Sequence, residues 1–163
     1  MNGWNNPDYV LALIISKIIA LIILFFAWKR PSIARLLLFI LFTWAAYTNW
    51  KMAIVSPQEY VNFADLAFIG FYKEFIQGWF SRHGAFMIAA IATGQLIIGV
   101  AMLLKGWIFR WGAIGGIVFL TAIIPLGVGS GFPFPIITAL AFYLLLKLNK
   151  VDYLWNRRIH ELT

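Results

Sequence analysis

Cysteine is absent from the 163 residues, and charge is scarce. Without a thiol this chain builds no disulfide, no thiolate nucleophile, no Cys-ligated metal site and no iron–sulfur cluster. Only 12% of residues are charged and 63% are hydrophobic, whereas soluble domains carry about a quarter charged and about half apolar. A water-soluble fold of this length could not cover so much apolar surface, so lipid is the expected solvent. The formal net charge of +7 does not read as a nucleic-acid surface. Its basic residues cluster at the ends of apolar runs, as membrane topology signals do. Histidine is nearly missing as well. His83 and His160 form no i, i+3 or i, i+4 pair, so neither haem nor zinc is offered a site, and no metal is expected. The opening "MNGWNNPDYV" lacks the basic n-region of a signal peptide, so the first apolar run reads as a retained helix.

What is present is five apolar segments, 9–28, 33–50, 84–104, 111–128 and 133–148. Each is near the ~20 residues that cross a bilayer as a helix, the last being short. In lipid the backbone must bond within its own segment, so helices are predicted. Between the first two segments "WKRPSIAR" holds Lys29, Arg30 and Arg35 and no acid. "KGWIFR" holds Lys105 and Arg110, and the tail holds Lys147, Lys150, Arg157 and Arg158. The link between the second and third segments balances three basic residues with three acidic ones. Basic loops stay cytoplasmic. The pattern therefore predicts five spans, the N-terminus outside and the C-terminus inside.

Two connections stand out. "IIPLGVGSGFPFP", Ile123 to Pro135, carries no charge and reads as the tight outer turn between the last two spans. Gly127, Gly129 and Gly131 let the chain reverse, Pro133 suits the first turn of the next helix, and Pro125 should kink the fourth span. Irregular backbone at membrane depth is tolerated only against protein or a wet cavity. The turn is therefore either a plain short loop or the floor of an outward-facing cavity. The other connection is 57–81. "SPQE" is a helix start, with Ser56 as N-cap, Pro57 at N1 and Glu59 at N3 of a capping box. At ~100° per residue Gln58, Glu59, Asn62, Asp65, Lys73 and Gln77 share one side. The prediction is an amphipathic helix on the outer leaflet, an anchor or a lid.

The polar residues inside the spans are the candidate ligand-binding groups. Lys17 sits in the first span, where a charge is costly and by default functional. It either snorkels, pairs with Glu59, Asp65 or Glu74, or meets a ligand directly. Asn49 in "TWAAYTNWK" and Gln95 in "IATGQLIIG" need hydrogen-bond partners in hydrocarbon. An interhelical bond is the usual one, and a bound carbonyl compound is the other. His83, after Arg82, reads as an interfacial residue before it reads as a base. Trp44, Trp50, Trp79, Trp107 and Trp111 lie near span ends as an aromatic belt, although Trp44 would also suit a ring-binding pocket. Gly112 and Gly116, with Gly115 beside them, form a GxxxG suited to close helix packing. No catalytic set is evident.

From Arg35 onward the order of parts resembles the DoxX-like membrane proteins, which include the small subunit of thiosulfate:quinone oxidoreductase. The likeness is carried by "RLLLFILFTWAAYTNWKMA", by the amphipathic "SPQEYVNFADLAFIGFYKEFI", and by the helical hairpin "GQLIIGVAMLLKGWIFRWGAIGGIVFL". It implies a four-helix bundle, to which the first span here is an addition, and a setting in membrane redox chemistry with quinones.

The expectation is thus an all-α integral membrane protein in a single domain, about five transmembrane helices with an amphipathic outer-surface helix. Its expected role is an accessory or quinone-interacting subunit of a membrane redox system in a bacterial inner membrane. The chain builds no cofactor site of its own, and quinone is the candidate cofactor. Expected partners are membrane lipid, a soluble or membrane redox protein and further copies of the chain, but no nucleic acid. A scaffold or binder of lipid or small hydrophobic compounds is the alternative. A transporter is the weaker one, since no inverted repeat is evident.

Overall fold

The computed structural model describes residues 7–57, 59, 61, 69–147 and 154. Among them every regular element is helical. The elements are α1 (Pro7–Lys29), α2 (Pro31–Val55), α3 (Gly70–Phe75), a π segment (Ile76–Phe80), α4 (Ser81–Ala101), α5 (Gly106–Ile123), a 3₁₀ segment (Ile124–Ser130) and α6 (Phe134–Lys147). Four helical stretches, 10–29, 31–55, 70–101 and 106–127, are long and apolar enough to cross a membrane, and α6 is a shorter apolar helix. Large apolar side chains such as Leu21, Phe25, Ile40, Ile97, Val118 and Leu140 face outward. That distribution suits lipid as surroundings and not water.

The helices form an antiparallel bundle in which α2 packs along α4, while α1 and α5 flank α6. Its main core includes Ile23, Leu38, Phe42, Met102, Phe109, Leu120, Phe142 and Leu145. Phe42 meets Phe142 edge-on at 5.5 Å between ring centroids, a favourable arrangement for aromatic quadrupoles. The glycines at 112 and 116 do serve packing. A Cβ at Gly112 would collide with the Ala101 Cβ, and one at Gly116 would come within 2.6–2.9 Å of the Phe142 ring. Gly115 is different, because a Cβ there would rest 3.6 Å from Ile98 in ordinary contact.

The stretch predicted as a surface helix over 57–81 is described only in part, and residues such as Asp65 fall outside the described residues. The described part is not set apart from the bundle. From Gly70 the chain runs as α3, winds through the π segment and continues into α4. Ile76 and Phe80 are buried with Ala53 and Ile88 in a second core, which draws this stretch inward. The expected capping box is replaced by backbone bonding. The Ser56 N–H caps α2 at the Met52 carbonyl, and the Glu59 N–H donates to the Ser56 carbonyl.

Arg35 departs most from expectation. Read as a loop charge, it lies inside the first turns of α2 and is 4% exposed. Its Nε donates to the Met102 carbonyl at 2.8 Å and its Nη2 to the Leu104 carbonyl at 2.6 Å. The guanidinium also sits 4.9 Å from the Phe109 ring centroid, within cation–π range. A helix leaves its last four carbonyls without intrahelical partners, and a cation there also meets the negative end of the helix dipole. The Leu154 N–H takes the Leu103 carbonyl between them at 3.1 Å. Three successive carbonyls after α4 are thereby satisfied.

Arg35→Leu should destabilise the protein by about 2–4 kcal/mol, since it strands two carbonyls, and Arg35→Lys should recover only part of that. Gly112→Ala and Gly116→Ala should each cost about 1–3 kcal/mol through overpacking, with Gly115→Ala neutral or stabilising. Denaturation in mild detergent, with each variant beside the parent, checks both series.

Candidate functional site

The site arises at the turn that feeds α6. This turn packs against α1 and lines the same space as its side chains. Gly131 adopts φ 73° and Gly127 φ 60°, conformations that favour glycine. A Cβ on Gly131 would lie 3.5 Å from Ser16 Oγ. Ser16 lies inside the apolar stretch 10–29 of α1. Pro125 does not kink α5; the helix ends at Ile123 and passes into the 3₁₀ segment. A proline N has no hydrogen for the carbonyl three residues back, that of Ala122. The Tyr72 hydroxyl donates to it at 2.8 Å. Pro133 lies one residue ahead of α6, and its carbonyl accepts from the Ile136 and Ile137 N–H groups.

Beside the turn lies a cavity of about 550 Å³, the size of a small-molecule site. α1 supplies Ala12, Leu13, Ile15, Ser16 and Ile19, and α2 supplies Leu41, Phe42, Trp44 and Ala45. Gln95, the C-terminal end of α5 and Gly129–Gly131 of the turn complete the lining. The uncharged turn thus forms part of a cavity wall.

Three polar side chains face this space. The Ser16 hydroxyl donates to the Leu13 carbonyl at 2.9 Å, and that of Ser130 to the Gly127 carbonyl at 2.8 Å. Each keeps only acceptor capacity. Gln95 is 6% exposed, and its Oε1 accepts from Asn49 Nδ2 at 2.7 Å. Its amide nitrogen has no partner among the described residues. Asn49 therefore orients Gln95 so that its NH₂ is a donor available to the chamber; Trp44 of the lining carries another, its indole N–H. No Asp, Glu, His, Lys, Arg or Tyr is among the described lining residues.

The structure brings together only some of the candidates. Gln95 and Trp44 line the cavity, and Asn49 stands behind Gln95. Lys17 is half-buried on the other flank of α1 and forms no ion pair among the described residues. Glu59 and Glu74 are exposed, so neither is its partner. His83 is exposed, stacked on Trp79 at 4.6 Å, with its Nδ1 3.1 Å from the Trp79 carbonyl. It lies at the irregular start of α4 and away from the cavity. Ser16 and Ser130 were not foreseen. A serine in a helix or turn commonly bonds its own backbone, which leaves no signal to single them out.

A double-mutant cycle on Asn49 and Gln95 should give a coupling of about 0.6–1.7 kcal/mol, the range of interhelical bonds in membranes. Asn49→Ala and Gln95→Ala, measured singly and together by unfolding in detergent, supply it.

No protein-family model, curated protein or solved structure matches the chain.

Proposed function

We propose that this chain is a five-span membrane protein that holds a quinone-like ring for a membrane redox system, as an accessory subunit to a partner bearing the electron-transfer cofactor. The observation that carries the reading is the Gln95 amide. Its NH₂ has no partner among the described residues, is fixed in direction by Asn49, and belongs to a residue 6% exposed in a cavity whose other described lining is apolar, aromatic, glycine or serine. Once an occupant excludes water, an unmet donor costs about 1–3 kcal/mol. A ligand carbonyl satisfies it, and Phe42, Phe119 and Trp44 offer ring surfaces. The resemblance of the chain from Arg35 onward to DoxX-like proteins supports the redox setting.

Reduction of a quinone consumes two electrons and two protons. In this reading the chain binds and orients the ring while its partner, soluble or membrane-bound, supplies the electrons. The same lining favours the second reading, a binder of lipid or small hydrophobic compounds with no redox role.

Topology follows the charges. Lys29, Arg30, Lys105, Arg110 and Lys147 are exposed at one end of the bundle, while Glu59 and Glu74 lie at the other. By the positive-inside rule the first end is cytoplasmic and the N-terminus is outside, in a bacterial inner membrane.

Mass spectrometry of organic extracts from protein purified in mild detergent tests the assignment. Quinone should be retained near one per chain, lost in Gln95→Leu and kept in Lys17→Met, whose side chain lies outside the cavity. Phospholipid alone, or no small molecule, would replace the redox reading with the second one.

A further inference from the structure

We infer that the cavity is loaded sideways from the bilayer through a slot between α1 and α2, and that its occupant is an amphiphile with a carbonyl-bearing head inside and an apolar tail left in lipid. The inference rests on the reading of the cavity as a binding site and adds its route and ligand class.

Four observations lead there. First, the walls lie within the apolar spans. The α1 lining runs from Ala12 to Ile19, inside the apolar stretch 10–29. The α2 lining stops at Ala45, ten residues before Val55, or about 15 Å. No described lining residue comes from α3 or the π segment. Second, the rim is exposed on one side. Ile15 is 48%, Ile19 38% and Trp44 64% exposed, and all three are cavity residues. At ~100° per residue Ala12, Ile15 and Ile19 share one flank of α1, the flank toward Leu41, Trp44 and Ala45. Third, α1 and α2 are joined at the opposite end by Arg30 alone. The connection pins the hairpin at its base and leaves its far half, where the cavity lies, without a linker across the gap. Fourth, the polar groups are unevenly placed. Gln95 comes from α4 at the inner side, whereas the slot residues are aliphatic or aromatic. A head that bonds Gln95 therefore leaves its tail among Ile15, Ile19, Leu41 and Trp44, continuous with the acyl chains. A water-soluble compound would find a largely apolar rim and few donors.

The test uses a benzoquinone with a short butyl tail ending in a diazirine, in proteoliposomes of the full chain. Illumination should give labelling that saturates, is competed by the unlabelled quinone and falls on Ile15, Ile19, Leu41 or Trp44. Gln95→Leu, confirmed folded, should lose it. A kinetic arm adds Ile15→Trp, which narrows the slot, and Leu21→Trp on an exposed flank of α1 away from it. Ile15→Trp should slow quinone exchange about tenfold, equivalent to 1.4 kcal/mol of barrier, and Leu21→Trp should leave it unchanged. Saturable label confined to Gly129–Gly131 or to α3, with exchange unaffected by Ile15→Trp, would overturn the lateral route while keeping the site. Absence of saturable labelling anywhere would overturn the site itself.

Discussion

Backbone carbonyls removed from water must find donors, and the Arg35 guanidinium meets that demand where the bundle is most exposed to it. α4 ends in a tight turn into α5, and carbonyls at a helix end have no intrahelical partner. One side chain from α2 serves two of them, at Met102 and Leu104, across 67 and 69 residues of sequence. The same contact sets the register of α2 against α4. From there Phe42 meets Gly99, Asn49 meets Gln95, and Pro57 approaches Gly84. The cavity donor is thus placed by a ladder whose first rung is at the opposite end of the molecule.

At the other end the same demand shapes the site. Pro125 ends α5 and leaves the Ala122 carbonyl to the Tyr72 hydroxyl. The turn ahead of α6 lies beside Ser16 at Gly131. Irregular backbone at that depth persists where protein or a cavity surrounds it, and here both do. Where α5 stops and α6 starts thereby shapes the chamber, and glycine lets the turn lie against it.

Much of this architecture was legible because long apolar segments and glycine spacing are local signals. Gly112 and Gly116 were readable as packing sites, but Gly115 was not separable from them, since which side meets Phe142 or Ile98 depends on helix rotation. The need of Asn49 and Gln95 for partners followed from hydrocarbon chemistry, yet their choice of each other required the α2–α4 register. Arg35 was misread for the same reason. Three basic residues in eight look alike in sequence, and only the position of the α4–α5 turn distinguishes the buried one from Lys29 and Arg30. Lys17 shows the reverse, a costly residue whose suggested partners Glu59 and Glu74 lie elsewhere on the surface.

The place where α6 starts carries a consequence for the surrounding lipid. α6 begins at Phe134, next to a turn that lies against Ser16 of α1, and Ile136, Leu140 and Tyr143 face outward. On that flank the bilayer meets a chain reversal, whereas on the flank of α2 it meets 25 continuous helical residues. Lipid beside the reversal thins or tilts at a cost of fractions of a kcal/mol per Å of mismatch. The protein therefore meets the membrane unevenly around its circumference, and bilayer thickness becomes a variable that acts on the turn that walls the chamber.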